Sequence, residues 1–321
     1  PSLHFADRLT AAIRALRTPA VVGIDPVLDR LPAELRPARP RLATAAAAIE
    51  AFGREIVDLV AGLVPAVKIN SAFFEAYREA GVAAYYRLIA HAHARGLLVI
   101  GDIKRGDIGS TARLYARGHL DGSWASDDGG AACVPDAVTL IGYFGIGAIR
   151  PFIELARDQG RGLFVLVRPS DPDADVVHEF GRPGRLYEFL AGLVHQWGEE
   201  ASLLGDCGLS CVGAVVAPKD AASTAALRAR LPHTLWLVPG YGAQGADREA
   251  CRRCFRADGT GAIINASRSV IYAFEQPAYR ERFADQWREC ARQAARDFAA
   301  DLAALAWPSR GASEGKSESI R

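Results

Sequence analysis

The chain is short of several things, and each shortage removes a class of function. No apolar run reaches the roughly 18 residues of a membrane-spanning helix. Charge of either sign is not in excess: 38 Lys and Arg face 37 Asp and Glu, for a formal net charge of +1. A nucleic-acid-binding domain would need a strongly basic face, and this balance suggests none. Only six cysteines occur, Cys133, Cys207, Cys211, Cys251, Cys254 and Cys290, and their spacing forms no disulfide framework. With no export signal read at the start, a reducing cytoplasm is the expected setting. Cys251 and Cys254 make a C-x-x-C, but without a second pair or a histidine cluster it reads as helix packing rather than a metal or redox site. The seven histidines are scattered, and His91 and His93, two apart on an expected helix, point to different faces. Methionine is absent, which reads as compositional bias towards Ala and Arg together with loss of the initiator.

What is present is ample core-forming material: 321 residues, 50% hydrophobic and 23% charged. Short apolar, β-branched runs recur at 20–24, 66–69, 97–101, 137–140, 163–167, 212–216, 235–238 and 262–264. Helical spacing fills much of the intervals, at 44–64, 72–94, 147–158, 185–204, 220–231 and 247–256. Strands apolar on both faces that alternate with helices argue for a parallel sheet. Eight such units in about 250 residues predict an α/β fold of the (β/α)8 TIM-barrel type, with a doubly wound sheet as the alternative. The expected organisation is one barrel domain with terminal helices over 1–307, extended loops at 26–42, 118–135 and 168–184, and a polar tail over 308–321.

In such a barrel the active site lies at the C-terminal ends of the strands. The unusual polar residues of this chain fall there. They are Asp25 after the first strand, Lys68 and Asn70 after the second, and Asp102, Lys104 and Asp107 after the third. Arg168 and Ser170 follow the fifth, Pro239 to Gln244 the seventh, and Asn265, Ser267 and Arg268 the eighth. Any one could be a solvated strand end, but six sets converging on one mouth predict a site. Asp102 and Lys104 are two apart, so in an extended segment they face the same way. A rim-bracing ion-pair network is the structural alternative. Gly240 to Gly245 matches G-x-G-x-x-G, but the next strand ends in Asn265 without the acid of a dinucleotide site. A phosphate site is the better reading, with Gln244, Ser267 and Arg268 as donors.

Taken in order, these residues resemble a known family. Asp102-x-Lys104-x-x-Asp107-Ile108-x-x-Thr111, Asp25, Lys68 in Val-Lys-Ile-Asn, Ser170 in Ser-Asp-Pro, the Pro239-Gly-x-Gly-Ala-Gln244 loop and Arg268 are similar to the signature of orotidine 5'-phosphate decarboxylase. The form DIKRGDIGSTA and the long loops resemble its longer, type 2 subfamily, over residues 25–272. The resemblance implies a (β/α)8 homodimer with shared active sites. It implies loss of CO2 from orotidine 5'-phosphate to give UMP, with no metal and no organic cofactor. The implied catalytic residues are Lys68, Asp102, Lys104 and Asp107, the last reaching into the neighbouring subunit's site with Ile108 and Thr111. Asp25, Lys68 and Thr111 would hold the ribose, Ser170 the pyrimidine, and Gln244 and Arg268 the phosphate, with Pro239 and Ser267 beside it.

The chain departs from the family pattern on the base-binding side. Residues 141–143 read Ile-Gly-Tyr where Asn-Pro-Tyr is usual, Pro169 replaces Thr, and Asp171 replaces Asn or His. Other readings are a phosphosugar decarboxylase or aldolase of the same barrel group, which would use a divalent metal, and a catalytically idle nucleotide-phosphate-binding barrel. No partner beyond a small-molecule nucleotide and a second copy of the chain is expected, neither nucleic acid nor membrane.

Overall fold

Residues 4–124, 133–181, 184–241 and 248–307 are described by a computed structural model. The 308–321 tail and Gln244 lie outside the described residues. Every expected apolar run is a strand, and the strands close in chain order into a parallel barrel, the last pairing with the first. The strands are β1 (Ala20–Ile24), β2 (Ala66–Asn70), β3 (Leu98–Arg105), β4 (Ala137–Ile141), β5 (Gly162–Arg168), β6 (Val212–Val216), β7 (Trp236–Val238) and β8 (Ala262–Ala266). The doubly wound alternative would leave two open edges and is excluded by the β1–β8 pairing.

The outer layer holds α2 (Leu42–Val60), α4 (Arg78–Ala94), α6 (Ile146–Gln159), α8 (Leu186–Gly198) and α9 (Ala221–Arg230), close to the spacing-derived segments. Three differences have local causes. The expected helix over 72–94 is two pieces, α3 (Ala72–Glu75) and α4, because Arg78 takes a left-handed φ of 53°. Gly81 permits the resulting fold-back, since a Cβ there would lie 1.8 Å from the Phe74 carbonyl oxygen. α5 (Gly109–Leu120), the helix expected after Asp107, falls outside the helical-spacing segments, since its exposed face is too polar for a clear apolar stripe. The 168–184 loop contains the short α7 (Asp175–His178). After β7 come α10 (Arg248–Arg252), then α11 (Arg268–Ile271), α12 (Pro277–Phe283) and the long α13 (Trp287–Ala306) after β8.

Strand parity divides the core. Val22, Ile24, Val67, Val99, Val138 and Val165 face the outer helices. Val21, Ala66, Ile100, Phe164, Leu237 and Ile263 face the barrel interior, where they meet Phe5, Ala6, Leu9 and Ile13. Those four belong to α1 (Phe5–Leu16), which plugs the N-terminal end of the barrel. Phe5 sits edge-on to Phe164, centroids 6.0 Å apart. Gly162 makes room for it, as a Cβ there would lie 2.2 Å from the Phe5 ring. Arg8 of α1 adds a 2.6 Å bond to the buried Asp136 at the foot of β4.

Truncating this plug leaves a void that the rigid strands cannot fill. Phe5→Ala is expected to lower the unfolding free energy by about 3 kcal/mol in urea titrations. A loss under about 1 kcal/mol would show that α1 is not integral to the core.

Candidate active site

At the opposite end, the strand ends surround a cleft of about 230 Å³. Its charged wall is Asp25, Lys68, Asp102 and Lys104. Its polar wall holds Asn70, Ser170, Asn265, Ser267 and Arg268, and Pro169, Pro239, Gly240 and Tyr241 close it. Leu166 and Val215 supply an apolar patch suited to a planar ring. The mouth therefore draws on β1, β2, β3, β5, β7 and β8, as the strand-end reading predicts, and also on β6 through Val215.

The charged wall is built around β3. This strand runs past its expected end at 101 to Arg105, with a register irregularity against β4 between Gly101 and Arg105. Lys104 within it takes a left-handed φ of 44°. A bulge of this kind re-aims side chains next to a site. Asp102 and Lys104 do converge, but through the bulge rather than through simple strand alternation. Lys104 Nζ donates to Asp102 Oδ1 at 2.6 Å, and Lys68 Nζ to Asp102 Oδ2 at 2.6 Å. Lys68 Nζ also stands 3.7 Å from Asp25 Oδ1. Arg105, by contrast, turns outward to Glu75 and Tyr115.

Thr139 of β4, which sequence reasoning did not single out, completes this arrangement. Its hydroxyl donates to Asp102 Oδ1 at 2.8 Å and accepts from the Lys104 backbone N–H at 3.1 Å. One side chain thus fixes both the carboxylate and the bulge. The only signal available was a hydroxyl at an interior position of an apolar run. Gly23 is a second omission: a Cβ there would lie 1.9 Å from Ser267 Oγ, so only glycine leaves Ser267 its place.

Burial opposes charge on both central groups, and their partners overrule it. For Lys68, desolvation pulls the pKa down, but the Asp25 and Asp102 carboxylates hold it above the ordinary lysine value. For Asp102, desolvation pushes up, while Lys68 and Lys104 hold the carboxyl well below the usual range. Lys68 and Asp102 are both buried, but the Lys104 side chain is 46% exposed and opens to the cleft. A charged ammonium is therefore presented on a fixed base.

Three expected site residues lie elsewhere. Asp107, Ile108 and Thr111 do not line this cleft. Asp107 accepts from the Ile108 N–H at 2.7 Å, just before α5, and Ile108 is 63% exposed. Arg168 is also turned away, buried against Tyr187 and paired with Glu179. Of the departures from the family pattern, Pro169 lines the cleft, whereas residues 141–145 do not, and Tyr143 points to solvent. Asp171 caps the turn before α7, accepting from the Asp173 N–H.

The depressed Asp102 carboxyl gives a signed pH effect. A carboxyl held below its unfolded value stabilises the fold fully above that value and loses the contribution as the pH falls. Asp102→Asn is expected to cost about 3 kcal/mol at neutral pH, because Lys68 loses the nearer of its two carboxylates. The gap between the two chains should shrink below about pH 4 in parallel urea titrations. A gap independent of pH would place its origin outside the ion pairs.

Comparison with known proteins agrees with this geometry. The family model described as Orotidine 5'-phosphate decarboxylase / HUMPS family matches residues 44–281. An orotidine 5'-phosphate decarboxylase of Rhodopirellula baltica is 38% identical over 306 residues, covering 91% of this chain and 96% of its own. That of Clostridium tetani is 34% identical over 243 residues, covering 75% of this chain and 79% of its own. The solved structure of Leishmania donovani OMP decarboxylase is similar, with a TM-score of 0.69 at 27% identity over 95% of this chain and 99% of that one. With a closed eight-stranded barrel, a family match over more than half its length and such relatives along most of it, this chain belongs to the orotidine 5'-phosphate decarboxylase / HUMPS family.

Proposed function

We propose that the chain is an orotidine 5'-phosphate decarboxylase, a carboxy-lyase of pyrimidine biosynthesis that makes UMP and CO2 without a metal or organic cofactor. The Lys68–Asp102–Lys104 array at the cleft carries this reading. The C6–carboxylate bond of the base breaks and its electron pair stays on C6. Without an electron sink, that carbanion must be stabilised electrostatically, and a preorganised ammonium suits the task. Lys104 faces the developing charge and then gives its proton to C6. Asp102 lies beside the departing carboxylate, and its repulsion falls as CO2 leaves.

Recognition follows from the remaining walls. Leu166 and Val215 receive the face of the pyrimidine, and Ser170 contacts its edge. Asp25 and Lys68 hold the ribose. Asp25 Oδ1 and Asn265 Oδ1 are buried acceptors with no hydrogen-bond partner among the described residues, which suits ligand hydroxyls. Arg268 and Ser267 hold the phosphate beside Pro239, with Gln244 from the loop outside the described residues. Phosphate binding far from C6 can drive loop closure and orientation of the base.

The site is completed by a second copy of the chain. Asp107, Ile108 and Thr111 stand outside their own cleft, which fits insertion into a partner's. Ile108, Leu114, Tyr143 and Phe144 are all more than half exposed, an apolar surface for such pairing. The same reading takes residues 1–307 as one barrel domain of the type 2 subfamily in a cytoplasmic setting.

The first test is the ultraviolet absorbance change of orotidine 5'-phosphate with EDTA present. Rapid conversion to UMP is expected, and Lys104→Ala should abolish it while leaving the chain folded. Turnover of a phosphosugar only with added magnesium would overturn the assignment in favour of the other branch of the family. Thr139→Val, losing a hydrogen bond to a charged group, should lower kcat about tenfold or more with KM little changed. Mixing the inactive Lys104→Ala and Asp107→Ala chains should restore about a quarter of the sites, because half the random dimers pair the two and rebuild one intact site. No recovery after verified exchange would refute shared sites.

A further inference from the structure

The base of the barrel holds a second constellation that decarboxylation does not use. Cys133 precedes β4, His93 lies in the last turn of α4, and Asp136 stands immediately before β4. His93 Nδ1 is 3.2 Å from Cys133 Sγ, and its Nε2 is 2.9 Å from Asp136 Oδ2. A sulfur, an imidazole and an orienting carboxylate in that order are the parts of an activated thiol. Asp136 is held rigidly: it is buried, accepts from Arg8 at 2.6 Å and from the Val99 N–H at 2.8 Å, and lies 3.5 Å from Arg161. The ring it orients therefore stays facing the sulfur. The titratable groups facing His93 are Cys133 and Asp136, with the cations Arg8 and Arg161 beyond the carboxylate. Burial pulls the imidazole pKa down, but its bonds to Asp136 and Cys133 outweigh that and push it up to about 9.

Access separates Cys133 from four of the other cysteines. Cys211, Cys251, Cys254 and Cys290 are buried. Cys207 is partly exposed, but burial and the neighbouring Asp7 push its thiol pKa up, which suppresses the attacking form. Cys133 is partly exposed and borders an apolar recess with Tyr86, Trp124 and Val134. Arg117, stacked 4.0 Å over Trp124, places a cation on the same wall.

We propose that Cys133, activated by His93 and Asp136, is a site of thiol–disulfide exchange with low-molecular-weight disulfides. The proton shared by Sγ and Nδ1 passes to the ring, and the sulfur attacks one sulfur of the disulfide RSSR. The S–S bond breaks with its electron pair on the departing RS⁻, which takes the proton from His93 and leaves as RSH. Cys133 ends as a mixed disulfide, and its oxidation balances reduction of the released thiol.

The test uses the whole chain and dithiodipyridine, read by absorbance, with the adduct located by mass spectrometry. One thiol should react at least about tenfold faster than free cysteine at about pH 6, and Cys133→Ser should remove that phase while Cys207→Ser keeps it. His93→Gln should slow the phase and return its pH profile to that of an ordinary thiol. A fast phase that survives Cys133→Ser, or a rate no faster than free cysteine, would overturn the proposal. An unchanged pH profile in folded His93→Gln would overturn it equally. None of these readouts depends on decarboxylation.

Discussion

Asp102 is the carboxylate on which the mouth of this barrel depends. It is buried, and it is tolerated because two ammonium groups and a hydroxyl converge on it. Such an arrangement is costly to assemble, since each charge must leave water. The barrel offsets that cost by fixing the backbone on both sides of β3 through parallel pairing with β2 and β4. The bulge then presents Lys104 to the cleft while Lys68 stays buried behind the carboxylate. An ammonium held this way needs little rearrangement when negative charge develops beside it, which is the physical content of electrostatic preorganisation.

The two ends of the barrel treat buried charge differently. At the base, Asp136 is surrounded by Arg8, Arg161 and His93 and also accepts a backbone N–H. Together with the α1 plug, that network ties the strand feet together. At the mouth, Asp25 and Asn265 each keep a buried oxygen without a hydrogen-bond partner among the described residues. The saturated Asp136 carboxylate braces the fold, whereas the unsaturated oxygens at the mouth leave interactions for a ligand to make. The same contrast appears in glycine use. Gly162 admits Phe5 to the base, and Gly23 admits Ser267 to the mouth.

The D-x-K-x-x-D motif is divided by the fold. Its first half lines the cleft of its own chain, while Asp107, Ile108 and Thr111 stand outside it beside exposed apolar side chains. Proximity in sequence therefore does not mean membership of one cavity. The proposed homodimer would give that division a purpose, because each copy would supply what the other's cleft does not contain.

Much of the architecture was determined by the sequence alone. Eight doubly apolar runs with helices between them can bury both faces only in a covered parallel sheet, and the strand positions were legible to within a few residues. Polar residues at strand ends identified Asp25, Lys68, Asp102, Lys104, Ser170 and Arg268 as neighbours in one mouth, for the same topological reason. Tertiary structure alone decided what periodicity does not encode. The left-handed residues Arg78 and Lys104 broke one helix and bulged one strand, against local expectation. Thr139 acquired its part only when β4 was laid beside that bulge, and Arg168 lost its expected place when its guanidinium found Tyr187 and Glu179. These outcomes turn on contacts between residues distant in the chain, where side-chain direction is settled by packing and ion pairing rather than by local pattern.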